Sequence, residues 1–335
     1  MRALICATIA CVALTVPQTA EAWGALGHAV IDEAAIDALP PDAPDFLRKY
    51  KQYIIDTSSV PDWWREDNGS FSKIGEETNH AWYQEQLPLI GELPRSRTKF
   101  LIELARIQQS LTEIGSPAAA SLNARGVGTM PYEIASVYGH LVTGFRWYRN
   151  LKAAAKATQS AEMACAFYVA WMGHYVGDGA QPLHVSVHHD GWQGANPRGY
   201  STDRKLHNRF EVNFVESINL SAGDIRPYVT SVDLLGGDVF EAVLAYLTAS
   251  HEHVEEVYQA EKRMAFTDAN DQRARTLVYT RTAAGASMMR NLIFRAWLES
   301  AMPVDRTESA YDPVFMRETG ANPARQSRAV AAGKP

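Results

Sequence analysis

Two histidine–carboxylate pairs have a spacing that lets both members of each pair face one cation. His174 and Asp178 are four residues apart in a stretch that continues through Gln181 and Pro182 to His184. On a helix, that spacing puts imidazole and carboxylate on the same face, one turn apart. Pro182 cannot continue the helix, so His184 is expected to turn back toward that face. His207 and Glu211 repeat the four-residue spacing. A solvated contact on a helix surface explains either pair alone. Two pairs with a proline-turned histidine between them point instead to metal binding through nitrogen and oxygen.

Other residues carry weaker signals. His251 and His253 are two apart, which sends them to different helix faces, and they read as surface histidines. His188 and His189 lie in a polar stretch between two candidate ligands, within reach of a substrate, and read as a solvated loop. His140 reads as a structural residue inside a helix. The aromatic residues Trp63, Trp64, Trp82 and Tyr83 could stack on a base, pack on a lipid headgroup or simply fill the core.

The elements that must position these groups are helical. Phe100, Leu104, Ile107, Leu111 and Ile114 follow the spacing of one buried helix stripe, and Ile134, Tyr138, Leu141, Phe145 and Tyr148 repeat it. Further helices are expected over 26–38, 43–54, 161–178, 204–217, 238–261 and 272–300, while alternating strand patterns are scarce. The fold class is therefore all-α, a multi-helix single domain over 23–302, with no linker or internal repeat to divide it. Residues 116–129 and 185–202 break the helical pattern. The second break is long for a connector, so it is expected to rim a site.

The first 22 residues read as a secretory signal: Met1-Arg2, an apolar run from Ala3 to Val16, then the small-x-small triplet Ala20-Glu21-Ala22. Cleavage after Ala22 would leave Trp23 first, in a secreted or periplasmic protein. The apolar run is shorter than the roughly 18 to 20 residues that span a bilayer, and no later stretch replaces it, so no stable membrane insertion is expected. Removing the signal also removes Cys6 and Cys11, leaving Cys165 without a disulfide partner. From Pro303 onward the chain has little apolar periodicity and is expected to be disordered. A formal charge of −6 argues against a broad basic face for nucleic acid. Phosphate would have to be held locally, by a few arginines or by metal ions.

The stretch from His174 to His184 resembles the central motif of a superfamily that joins the single-strand-specific nucleases of fungi and plants to the bacterial zinc-dependent phospholipases C. The start Trp23-Gly24-Ala25-Leu26-Gly27-His28 is similar to the nuclease start, where the amine and carbonyl of an N-terminal tryptophan bind zinc. The signal-peptidase site exposes that same residue and does not depend on the motif. Val60-Pro61-Asp62 and Thr78-Asn79-His80 supply the aspartate and histidine the pattern wants next, and Arg65 falls where the nucleases place a phosphate-binding arginine. The resemblance runs from Trp23 to about residue 300 through five short blocks. The 94-position step from His80 to His174 is longer than the nuclease pattern and implies extended helices.

The resemblance implies three zinc ions. One would take Trp23 and His28 and share Asp178 with a second, held by Asp62, His80 and His174. The third would take His184, His207 and Glu211. Three dications outweigh three ligand carboxylates, which lets an acidic protein hold a phosphodiester. Water on the paired ions would ionise near neutral pH and attack phosphorus in line, with Arg65 neutralising phosphate charge and Asp62 orienting the nucleophile. The implied substrates are single-stranded DNA or RNA or a nucleotide, cut to 5′-phosphate products. Tryptophan at the start, Arg65 and the His184–His207 gap favour that reading. Glu211 and Tyr175 favour the alternative, a phosphatidylcholine-like lipid. Neither pocket transfers whole: Ala81-Trp82-Tyr83 lacks the base-reading aspartate of the nucleases, and Leu26 stands where phospholipases place a choline-binding glutamate. A non-catalytic zinc-binding helical protein is the reading of another class. No protein partner is implied.

Overall fold

Ser96, Asp238 and Asp271 each begin a long helix. Their side-chain oxygens accept hydrogen bonds from the backbone N–H groups of Lys99, Phe240 and Ala274, which have no carbonyl partner within the first turn. The computed structural model describes residues 23–66 and 71–303. The proposed signal at 1–22 and the proposed tail beyond 303 lie outside the described residues.

In chain order, α1 (Gly24–Asp37), α2 (Asp45–Lys49), α3 (Lys51–Asp56), α4 (Val60–Glu66) and α5 (Phe71–Glu76) lead to a 3-10 turn at Glu77–His80. α6 (Arg97–Glu113) and the short α7 (Ala124–Val127) precede the long α8 (Met130–Ala153) and α9 (Gln159–Ala180). A 3-10 turn at Pro182–Val185 and an irregular loop follow. The run from 206 to 217 is α10 (Leu206–Asn208), a π-turn at Arg209–Phe214 and α11 (Val215–Ser217). α12 (Ala222–Ile225), α13 (Val239–His251), α14 (Val254–Lys262) and α15 (Gln272–Glu299) complete the fold. Among the described residues, β pairing is confined to an isolated bridge between Trp82 and Gly128. The chain is all-α, as its periodicity requires.

The core is built where α8, α9 and α15 pack together and α1 lies across α9 and α15. Phe145, Val169, Val176, Leu292 and Ile31 are fully buried there. Two glycines on α9 set how closely α1 approaches. A Cβ on Gly173 would stand 2.6 Å from Asp32 Oδ1, and one on Gly177 would stand 2.8 Å from His28 Nδ1.

Several expected elements are altered. The stripe on α6 is buried at Phe100 and Leu104 but emerges at Ile114, which is 77% exposed. The expected helix over 43–54 breaks at Tyr50, and that over 238–261 breaks at Glu252–His253. The expected loop at 116–129 contains a 3-10 turn, Pro117–Ala120, and α7. Neither break has a proline or glycine to announce it.

Candidate metal centre

α9 ends at Ala180 because Gln181 adopts an extended backbone before Pro182, as the residue preceding a proline prefers. Gln181 then caps the following turn, its Oε1 accepting from the Leu183 N–H at 2.6 Å. The reversal carries His184 back against His80, and His184 Nδ1 lies 2.5 Å from the His80 carbonyl oxygen. His184 Nε2 is thereby aimed at His207 Nε2, 3.0 Å away, and at Glu211 Oε2, 3.4 Å away. His207 and Glu211 keep contact at 2.8 Å across the start of the π-turn. π-turns inside helices recur at functional sites.

The second cluster joins four elements. His174 and Asp178 come from α9, His28 from α1, Asp62 from α4, and His80 from the 3-10 turn. His28 and His174 stack with ring centroids 4.1 Å apart. Asp178 presents one oxygen to each side, with Oδ1 3.3 Å from His28 Nε2 and Oδ2 2.9 Å from His80 Nδ1. His174 Nε2 lies 3.7 Å from both Asp62 Oδ1 and Asp178 Oδ2 and 3.3 Å from His80 Nδ1.

Three buried groups thus have ligand atoms close enough for one cation each: His28, His174 and Asp178; Asp62, His80 and His174; and His184, His207 and Glu211. A tetrahedral ion with bonds of roughly 2.0 to 2.1 Å holds its ligand atoms about 3.3 Å apart, which matches these separations. Buried polar atoms that lack a hydrogen-bond partner also fall here. They include both nitrogens of His28, Asp62 Oδ2, Asp178 Oδ1 and Glu211 Oε1. Such atoms are costly to bury unless something satisfies them, and a cation among carboxylates and imidazoles does so.

The electrostatics fit the same account. Burial pushes the Asp62 carboxyl up against the pull of Arg65 and His80. Burial opposes charge on Asp178 too, but His174 and His184 prevail and hold it well below the usual range. Burial and neighbouring His28 push His174 well down, leaving the neutral imidazole a metal needs. Burial also works against protonated His184, yet Asp178 and Glu211 raise it to about 9, so this side chain is cationic when no metal is present. Glu211 is held at about 2 despite its burial, chiefly by His207 and His184.

Several of the candidate ligands are oriented from behind. His174 Nδ1 contacts the Ser58 carbonyl at 2.8 Å, His184 Nδ1 contacts the His80 carbonyl, and Gln181 donates to Glu211 Oε2 at 2.8 Å. These contacts fix which ring nitrogen faces the cluster. Glu76 stands behind His80, with Oε1 3.2 Å from Nε2. Sequence reasoning passed over Glu76, although it lies four residues before His80, the spacing used for the other two pairs. The Ser58 carbonyl leaves no signal in the sequence.

Arg65, one turn along α4, donates to Asp62 Oδ1 at 2.8 Å and is only 17% exposed. Trp23 is fully buried, its indole N–H bonded to the Gly177 carbonyl at 2.9 Å, beside Asp178. That places the residue next to the His28 group, but it offers no side-chain ligand.

The remaining candidates divide. His188 and His189 do not form a simply solvated loop: His188 stacks on Trp192 at 3.9 Å and His189 on Tyr83 at 4.9 Å, nearly parallel in both cases. His251 is half-buried and contacts Glu85 at 2.8 Å, while His140 lies within α8, exposed but with its ring against Tyr168 and Trp171. Trp82 packs in the core against Phe100 and Tyr132, Trp64 packs on Trp171, and Trp63 is 54% exposed. Tyr83 and His189 instead wall a cavity of about 750 Å³, with Trp192, Asp190, Gln193 and Arg204 among its lining. It adjoins the third group, since Asp190 Oδ1 lies 3.9 Å from His207 Nδ1.

No protein-family model matches the chain, and no curated protein matches it.

Proposed function

We propose that this chain is a zinc-dependent phosphodiester hydrolase of the nuclease–phospholipase C type, cutting single-stranded DNA or RNA or a nucleotide to 5′-phosphate products. The observation that supports this reading is the set of three adjoining buried groups, built only from imidazole and carboxylate, with a largely buried arginine on the helix of one candidate ligand. The donor set suits zinc, which accepts nitrogen and oxygen in a tetrahedron without a thiolate. When bound, zinc supplies positive charge to the phosphate and lowers the pKa of the attacking water. Arg65 adds its planar cation to hold the phosphate oxygens, and Asp62, kept in place by Arg65, orients the attacking water. The flat rings of Tyr83, His189 and Trp192, with the amides of Gln86 and Gln193, would receive the nucleoside beside the third group.

In a processed, exported protein, the free α-amine of Trp23 would complete the His28 group. N-terminal sequencing with metal analysis tests this. A fully loaded, active enzyme that starts elsewhere would remove Trp23 from the ligand set.

One observation favours a phosphatidylcholine-like lipid instead. α4 and α5 pack together, and Trp63, Phe71 and Ile74 on them are 54%, 94% and 72% exposed, three large apolar side chains turned to solvent on the helix that carries Asp62 and the one that precedes His80. Incubating the purified zinc-loaded protein with single-stranded DNA, RNA and phosphatidylcholine, with and without a chelator, decides between them. Chelator-sensitive cleavage of single strands is the expected result. Release of a phosphorylated headgroup alone selects the lipid reading. No turnover of any substrate leaves a non-catalytic zinc-binding protein.

A further inference from the structure

His80 occupies a singular position among the ligands. Its Nδ1 faces Asp178 and His174, while its backbone carbonyl orients His184 in the third group. One residue therefore serves both clusters, and its ring must present the correct nitrogen. A nitrogen that binds metal cannot keep its proton, so Nε2 must carry it. Nε2 is buried and has no aligned hydrogen bond, yet Glu76 Oε1 is 3.2 Å away.

Glu76 is itself held at both carboxylate oxygens. The Tyr175 hydroxyl donates to the same Oε1, and Asn79 Nδ2 donates to Oε2 at 3.3 Å. Arg97 secures Asn79 through its Oδ1 at 2.7 Å and pairs with Glu133 at 2.8 Å. Tyr175 is also wedged edge-on against the His80 ring, centroids 5.5 Å apart, and its neighbour in sequence is the ligand His174. A carboxylate buried this deeply, on the side of the imidazole away from the cluster, is poorly explained by packing. It is well explained as the acceptor for the ring proton.

We propose that Glu76 and Tyr175 are positioning residues that fix His80 as the Nε2–H tautomer and thereby set zinc affinity at the Asp62–His80–His174 group. The carboxylate accepts the Nε2 proton and makes Nδ1 a stronger donor, while the tyrosine hydroxyl fixes the carboxylate's angle. The inference rests on reading that group as a zinc site, but it does not require that any particular phosphodiester be cut.

The test uses zinc alone. In mature protein labelled with 15N at histidine and loaded with zinc, the His80 ring, assigned by loss of its signals in His80→Gln, should show a metal-bound Nδ1 and a protonated Nε2. Chelator competition should give a loss of about 10- to 100-fold in zinc affinity for Glu76→Ala. Glu76→Gln, whose amide oxygen can still accept the ring proton, should recover part of that loss, and Tyr175→Phe should show a smaller loss with faster exchange of the Nε2 proton. Binding of zinc through Nε2, or unchanged affinity in a folded Glu76→Ala protein, would overturn the proposal. Should Glu76→Ala fail to fold, an unaltered ring spectrum and affinity in Tyr175→Phe would overturn it equally. A wild-type chain that takes up no zinc would sink the metal reading beneath it. Zinc uptake as described without hydrolysis would sink only the proposed activity.

Discussion

At the scale of single residues, Asp178 and His184 carry the sharpest consequences. Asp178 turns one oxygen toward His28 and the other toward His80, so replacing it affects two groups at once. Asp178→Asn should lower the bound zinc by two equivalents, read by elemental analysis, and leave the His184–His207–Glu211 group loaded. Retention of the full complement would refute the shared role. Without metal, the carboxylates of Asp178 and Glu211 raise His184 to about 9, against an ordinary value near 6.5. Below about 9 it is therefore protonated, and a metal must displace that proton. Zinc uptake near neutral pH should release a proton from this residue, and apparent affinity at the third group should climb as pH rises toward 9 and level off above it. Calorimetry in buffers of different ionisation enthalpy measures the proton directly.

Whole elements depend on the glycines of α9. Gly177 lets α1 approach until His28 lies over His174, and an added methyl would meet His28 Nδ1 at 2.8 Å. Alanine should improve the intrinsic helix propensity of α9 by about 1 kcal/mol. Overpacking costs about 1 to 3 kcal/mol, so the clash is expected to win. Gly177→Ala should accordingly lower stability in urea unfolding and reduce zinc content through the displaced His28. A variant that gained stability and kept its zinc would show that α1 can shift freely. The loop at 185–202 is held in a comparable way from outside the site. Glu85 receives the Ser186 hydroxyl at 2.6 Å and the Val187 N–H at 3.0 Å, and contacts His251. Burial alone would raise Glu85, but these bonds hold it at about 2.

For the molecule as a whole, the centre gathers α1, α4, α9 and the 206–217 run around buried carboxylates and imidazoles, several of whose atoms lack a hydrogen-bond partner. Removing metal should therefore loosen the entire fold. With free zinc about 100-fold above its dissociation constant, each site adds about 2.7 kcal/mol, so calorimetry should show a large fall in Tm on chelation and recovery on adding zinc. An unchanged Tm would argue that the groups stand empty in the native protein. Much of this was legible in the sequence where geometry is local. The pairs His174–Asp178 and His207–Glu211, the turn at Pro182 and the stripes on α6 and α8 follow from helical periodicity, which relates near neighbours along one chain. Glu76 could have been found by the same rule. The helix breaks at Tyr50 and Glu252–His253 could not, because no residue type there marks them. Nor could the ring nitrogen each histidine presents, the stacking of Tyr83 on His189, or the backbone contact from Ser58 to His174. These were decided when separate elements packed against one another, since contacts between elements depend on closeness of approach, which spacing along the chain does not encode.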